Sequence, residues 1–396
     1  MTAPLRSAIR QHVGPLRWRD RKIAEQQRQL KQRGKQINRL RQRVRRLESQ
    51  LRDLREEDVA RPESQRSADL QEKTLDSEPS FRREILSLRT QLRAARGQDP
   101  DSRTALRQIP HKLRNYRLAA SHGIRTPNIL GLWPDADSID LTGLPEQFVL
   151  KSDGGAGGQG VFPLHRTASD EFTIAGSDRT YTQRELIDSI KSLRRRARAP
   201  FFAEEYLVTK QQEGPIPEDV KIYAFYGEVG QILLRSVSEH GSHGATRYRF
   251  IWPDGSDLGK VSFDKKAPPI DPTVPIPPDL RAMVGVARHL SLCLGTPFIR
   301  VDVYDTPGRP TLGELTRVPG GEHRYRTSHD QEMGAMWLRA RTRLEHDIMT
   351  GRPPGTIYGE EPAVDFYDQI DRVDAGPGSW PVTIRPCAQW CERTTD

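Results

Sequence analysis

Phe148-Val-Leu-Lys-Ser-Asp-Gly-Gly-Ala-Gly-Gly-Gln-Gly-Val-Phe-Pro-Leu164 is the stretch on which the fold turns. Two apolar runs with strand character flank five glycines, Gly154, Gly155, Gly157, Gly158 and Gly160, and Lys151 closes the first run. Glycine lets the backbone adopt positive φ and brings bare N–H groups close to an anion, while a lysine adds a point charge for phosphate oxygens. The chemistry is that of a phosphate cradle. A Walker A loop would end in Gly-Lys-Ser/Thr and open a helix, and a dinucleotide fingerprint would also run into a helix. Here Val161-Phe-Pro-Leu164 reads as a strand, which excludes both. Taken alone, the loop is equally a glycine-rich surface hairpin, so the flanking chain must decide.

Downstream, Phe201-Phe-Ala-Glu-Glu-Tyr-Leu207 reads as a short strand carrying two carboxylates, after a helix expected over 182–198. Asp219 to Arg235 reads as a hairpin turning at Gly227. A helix over 278–292 precedes Phe298-Ile-Arg-Val-Asp-Val-Tyr-Asp305, a turn at Pro307-Gly308, and Thr311-Leu-Gly-Glu-Leu-Thr316. On a strand, residues two apart share a face, so Arg300 goes with Asp302 and Glu314 with Thr316. If the strands pair around the turn, Asp302 and Glu314 converge. Two carboxylates beside a hydroxyl are a hard-oxygen set suited to Mg²⁺, completed by water and nucleotide phosphate. A solvent-facing acidic edge is the alternative for any such pair.

Upstream, the charge is uneven. The first 57 residues hold 17 Lys+Arg against 6 Asp+Glu, so the net charge of +9 belongs to this arm and the remainder is near neutral. Ile23, Leu30, Ile37, Val44 and Leu51 recur every seven residues, joined by Leu40, Leu47 and Leu54. This heptad seam predicts a basic coiled coil over 1–58, which implies homo-oligomerisation or a partner protein. Its arginines also suit a polyanion or a membrane surface, although no aromatic residues are interleaved to stack on bases. A polar linker over 59–79, a second short helix over 80–96 and a linker over 97–110 come next, then the main domain over 111–350 and a Pro/Gly-rich tail over 351–396. No apolar run is long enough to span a bilayer and no signal-peptide core is present, so a cytoplasmic location is expected. Cys293, Cys387 and Cys391 are too few for a disulfide framework, and neither Cys387-x3-Cys391 nor His240 and His243 have partners for a metal site.

With these blocks in order, residues 108–350 resemble the ATP-grasp superfamily, and most closely its TupA-like branch, associated with teichuronopeptide and surface-glycan biosynthesis. The motifs that carry the resemblance are Val149-Leu-Lys-Ser-Asp-Gly-Gly-Ala-Gly-Gly158, Ala203-Glu-Glu-Tyr-Leu207, Asp219-Val-Lys-Ile-Tyr-Ala-Phe-Tyr-Gly227, and Arg300-Val-Asp-Val-Tyr-Asp305 with Gly313-Glu-Leu-Thr-Arg-Val-Pro-Gly320. The resemblance implies an α+β fold in which two lobes grip ATP, with a smaller N-terminal lobe before them. It implies that Lys151 contacts the α and β phosphates and that the loop from Gly154 to Gly160 closes over the β and γ phosphates. Glu204, Glu205 and Leu207 would lie on the adenine side, Asp219 would hold the ribose hydroxyls, and Lys221 would reach phosphate. Asp302 and Glu314, with Thr316, would carry Mg²⁺, and Arg300 would stabilise the transferred phosphoryl group. The helix that would supply a further phosphate-binding lysine has Tyr116, with Lys112, Arg114 and Arg117 around it, so that contact stays open.

The implied activity is an ATP- and Mg²⁺-dependent, ADP-forming ligation of a carboxylate to an amine, on an amino acid, peptide or uronic-acid-bearing glycan. The alternatives are phosphoryl transfer to a hydroxyl, or a non-catalytic scaffold that binds a polyanion. Deleting residues 1–100 separates the scaffold from the enzymes. Acceptor specificity is expected in 161–200 and 236–275, with Glu322-His-Arg-Tyr-Arg326 beside the Pro-Gly-Gly turn as a carboxylate contact.

Overall fold

The glycine stretch forms the hairpin that its sequence predicts. In the computed structural model, which describes residues 78–95, 104–155, 160–177, 179–212, 214–237, 246–264 and 267–370 with short pieces elsewhere, β2 (Gln147–Gly155) pairs with β3 (Val161–Ala168). Most of the heptad segment, the 59–77 and 97–103 linkers, Gly157, Gly158, His240, His243 and Cys387 lie outside the described residues. Within that arm, residues 40–45 are helical. The chain divides into two units, Met1–Ser77 and Glu78–Asp396, and the second holds both large sheets.

The first lobe of this second unit is a six-stranded sheet in the order β1-β6-β2-β3-β4-β5, antiparallel throughout, where β1 is Ile129–Trp133, β4 Glu171–Ile174, β5 Thr180–Thr182 and β6 Ala197–Glu205. Before it, α1 (Phe81–Ala94) and α2 (Lys112–Ser121) lead in, and α3 (Gln183–Leu193) connects β5 to β6. The helix expected over 182–198 is therefore shorter. Thr182 caps it in a reciprocal box with Glu185, Arg194 leaves helical geometry at φ 50°, and Ala197 is already paired with Gly155.

The second lobe is a five-stranded antiparallel sheet in the order β11-β10-β7-β8-β9, with β7 at Asp219–Phe225, β8 Glu228–Val237, β9 Thr246–Ile251, β10 Ile299–Tyr304 and β11 Thr311–Thr316. β7 turns into β8 through Tyr226 and Gly227, both at positive φ, as a two-residue hairpin requires. Alternation divides this sheet into two faces. Val220, Ile222, Ala224, Ile299, Val301, Val303 and Leu315 face back into the main core, where α4 (Leu280–Leu294) and α5 (Thr327–Met349) cover them. The front face is polar, and its order is the key to the site.

α1 belongs to this unit. Phe81 is fully buried among Tyr223, Phe225, Phe298, His323, Tyr325 and Trp337. The chain just before it crosses α5 at Gly334, where an added Cβ would stand 2.4 Å from Ser80 N. Arg89 then donates to the carbonyls of Pro319 and Gly321, at 2.9 and 3.0 Å.

One buried histidine, His329, and two half-buried ones, His122 and His289, are expected to make the stability of the unit depend on pH. The rings of His122 and His289 lie 4.7 Å apart, and burial, with His122 adding to it, takes His289 down to about 4. Burial, with Arg326 adding to it, takes His329 down to about 4 as well. The unfolded chain takes up these protons near pH 6.5, so the stability that the neutral rings contribute is complete above that value and is lost as pH falls towards 4. We expect the thermal midpoint to fall between pH 7 and 5, at up to about 1.4 kcal/mol per pH unit for each histidine. His289→Phe should make the fall shallower, and a flat profile in the unaltered protein would contradict it.

Candidate active site

Register places the front-face residues in rows. Glu314, Asp302, Lys221 and Leu233 stand opposite one another across β11, β10, β7 and β8. Thr316, Arg300 and Tyr223 form the row on one side of it, and Tyr304 with Asp219 the row on the other. The turn after Asp305 thus brings Asp302 and Glu314 face to face, as the two-strand reading requires.

The charges in these rows are coupled. Asp302 is buried, and it accepts from Arg300 Nε at 2.6 Å and Nη2 at 2.7 Å and from Lys221 Nζ at 2.6 Å. Arg300 Nη2 also donates to Thr316 Oγ1 at 3.0 Å. Lys221 bonds Asp219 as well, and Arg235 Nη2 donates to Asp219 Oδ1 at 3.1 Å. Burial alone would raise the Asp219 pKa, but Lys221 and Arg235 outweigh it and hold the carboxylate ionised well below its usual range. Burial would likewise lower Arg300, and Asp302 more than reverses it. Glu314 differs from Asp302 in being 38% exposed, with Lys112 Nζ as its nearest cation at 3.9 Å.

The first lobe faces these rows with a second charged group. Lys151 on β2 pairs with Glu204 on β6, the two side chains being 10% and 3% exposed. The hydroxyl of Tyr116, on α2, accepts from Lys151 at 3.4 Å and donates to Glu204 at 2.8 Å, with Gly313 O a second acceptor at 3.2 Å. Burial, and then Glu204, push the Tyr116 phenol well above its usual range, so it stays a neutral donor. Tyr116 therefore joins the two lobes at the back of the cleft. Asp153, fully buried just before the glycines, accepts from Leu113 N at 2.9 Å and from Tyr367 at 2.8 Å and contacts His111, which fixes the start of α2 against β2.

Of the predicted residues, Lys151, Glu204, Asp219, Lys221, Arg300, Asp302, Glu314 and Thr316 are drawn into these two groups. Gly154 and Gly155 end β2, and Gly160, at φ 79°, opens the return. Leu207 is buried just past β6. Glu205 does not join them. Adjacent to Glu204 on the strand, its side chain takes the opposite direction, as strand alternation dictates, and accepts from Asn128 at 2.6 Å and Arg125 at 3.2 Å. Of the basic residues around Tyr116, Lys112 is the one beside Glu314, and it is only 7% exposed. The signal for it was its place at the first turn of α2.

Two carboxylates face each other with Lys112, Lys221 and Arg300 around them, and no cluster of three or more His, Cys, Asp or Glu side chains suited to a metal occurs among the described residues. Such a set suits a divalent cation that arrives with phosphates supplying the remaining oxygens and the balancing negative charge.

Two antiparallel sheets that face each other across a lysine, a glycine hairpin and a carboxylate pair define an ATP-grasp protein. The TupA-like ATPgrasp family matches residues 90–338, and the chain belongs to that family. No curated protein matches the sequence. Among solved structures it is similar to D-alanine–D-alanine ligase from Bacillus anthracis, at 16% identity and a TM-score of 0.38 over 62% of this chain and 71% of that one. It is also similar to L-amino acid ligase from Bacillus licheniformis, at 14% identity and a TM-score of 0.36 over 63% and 52% of the two chains. No helix among the described residues is long and apolar enough to cross a membrane.

Proposed function

We propose that the protein is an ATP- and Mg²⁺-dependent carboxylate-amine ligase acting on an amino acid, peptide or uronic-acid-bearing glycan in surface-polymer synthesis. The observation that supports it best is the alignment of Glu314, Asp302 and Lys221 in one row, with Tyr116 linking Lys151 of the first lobe to Gly313 O on the strand that carries Glu314. A carboxylate is a poor electrophile, so the γ-phosphoryl group of ATP is moved onto a carboxylate oxygen, ADP leaves, and the carbonyl becomes open to attack. An amine then adds, phosphate departs with the C–O bond pair, and the amine loses a proton as the amide forms.

In this reading Lys151, Lys112 and Lys221 hold the phosphate chain, and Glu204 accepts from the adenine amino group once Lys151 has turned to phosphate. Asp219, kept ionised, accepts from ribose hydroxyls, and Arg300 faces the charge that develops on the transferred group. Asp302 and Glu314, with Thr316 beside them, would hold Mg²⁺, which when bound neutralises the phosphate oxygens. Positioning and charge are the main contributions, and no side-chain nucleophile is needed. The heptad arm is proposed to serve self-association or a partner protein.

The first test requires no acceptor. Mg-ATP at about a hundred times its dissociation constant should stabilise the protein by roughly 2.7 kcal/mol, read as a rise in thermal midpoint. An acceptor screen comes next, in which a ligase releases free phosphate only when carboxylate and amine are both present. Phosphate retained on a product would replace this reading with a kinase, and no rise with Mg-ATP would remove both.

A further inference from the structure

We propose that Tyr367, which lies beyond the end of the family match at residue 338, is a positioning residue for the lysines that would hold the phosphates. Through Asp153 it sets Lys112 on α2 at a fixed place relative to Lys151 on β2. The inference rests on the nucleotide reading above and adds to it part of the stretch after residue 350.

The two faces of α2 point to different parts of the chain. Residues four apart on a helix share a face, and a residue two further on stands about 200° round the axis. Lys112 and Tyr116 point together to the cleft, where they meet Glu314 and Glu204. Arg114, Arg117 and Ser121, spaced three and four apart, take the rear, and residues 357–367 cover them. Arg117 pairs with Asp365, the Arg114 guanidinium lies 5.8 Å from the centre of the Tyr367 ring, and Gly359 N donates to Ser121 Oγ at 3.0 Å. Ile357, Tyr358 and Tyr367 of this stretch are buried.

Tyr367 also reaches β2. His111, the N-cap residue of α2, makes no side-chain capping bond, and Asp153 takes over that role by accepting from Leu113 N at 2.9 Å. Asp153 stands two residues after Lys151, on the same face of β2. One carboxylate thus joins the strand of one lysine to the first helical turn of the other. Its second oxygen is shared between His111 Nδ1 and the Tyr367 hydroxyl, each at 2.8 Å, and Asp153 is fully buried there. Burial, and then Asp153, push the Tyr367 phenol well above its usual range, so the hydroxyl stays a donor. Removing that bond frees the carboxylate to turn, and Lys112, the first residue of α2, follows the cap.

The test measures Mg-ATP binding by calorimetry to the full chain and to Tyr367→Phe, Asp153→Asn, Lys112→Met, the Tyr367→Phe/Lys112→Met pair and Ser121→Ala. Tyr367→Phe keeps the ring beside Arg114 and removes one bond to a charged group, so we expect affinity to fall about tenfold, and at least as far in Asp153→Asn. Lys112→Met should lose about as much, and the pair should be no weaker than the worse single variant, because Tyr367 acts through Lys112. Ser121→Ala loosens the far end of the same rear face and should stay within about twofold of the unaltered protein. Unchanged affinity in Tyr367→Phe or Lys112→Met, additive losses in the pair, or an equal loss in Ser121→Ala would overturn the assignment while leaving the ligase reading intact. Failure of the unaltered protein to bind Mg-ATP would defeat both.

Discussion

Lys151→Ala is expected to destabilise the nucleotide-free protein by about 3–5 kcal/mol, because it strands the buried carboxylate of Glu204. Tyr116 still donates one hydrogen bond to that carboxylate, which keeps the loss towards the lower end. The control is Lys151→Met combined with Glu204→Gln. Two neutral side chains of similar volume remove the pair without leaving a lone charge, and replacing a buried pair in this way is often neutral. Denaturant unfolding should therefore show a large loss in the single variant and recovery in the double one. Stabilisation by Mg-ATP should be absent from both. If Lys151→Ala unfolds at the same denaturant concentration as the unaltered protein, the Lys151 and Glu204 pair is not closed without nucleotide.

The two carboxylates that face each other should separate in the same experiment. Asp302→Asn leaves Arg300 and Lys221 buried with one counter-charge fewer and should cost about 3 kcal/mol or more. Glu314→Gln, at a half-open position with its nearest cation 3.9 Å away, should change stability by no more than about 0.5 kcal/mol. Both should lower ADP formation by about 10²–10³-fold, because each removes charge aimed at the phosphates. Raised Mg²⁺ should partly restore Glu314→Gln. A stable Asp302→Asn protein, or full activity in Glu314→Gln, would contradict the pairing.

Much of this site is legible in residue order. The hairpin with Lys151 depends on adjacent residues, and the pairing of the two strands that carry Asp302 and Glu314 depends on the turn between them, but a register shift between Asp302 and Val303, which no residue pattern announces, puts Asp302 opposite Glu314 rather than Gly313. Contacts between elements distant in sequence were not legible. Helical spacing places Lys112 and Tyr116 on α2, yet nothing in that spacing says that α2 lies against β11 and bridges to Glu204. Glu204 and Glu205 look alike in sequence, and only knowledge of which face of β6 meets the cleft distinguishes them. The four-three spacing of Phe81, Ile85, Leu88 and Leu92 correctly marks a helix and says nothing of what it buries against.

That helix changes where the folded unit begins. The family match starts at residue 90, whereas the unit that holds the site starts at Glu78. Removing residues 1–100 to study the heptad arm would also extract an aromatic plug from beside Tyr223 and unfasten the turn at Pro319 and Gly321. The informative cut falls after Ser77. A domain boundary taken from where the family match starts would leave out Phe81 and Arg89, so a loss of function in that fragment would say nothing of the arm.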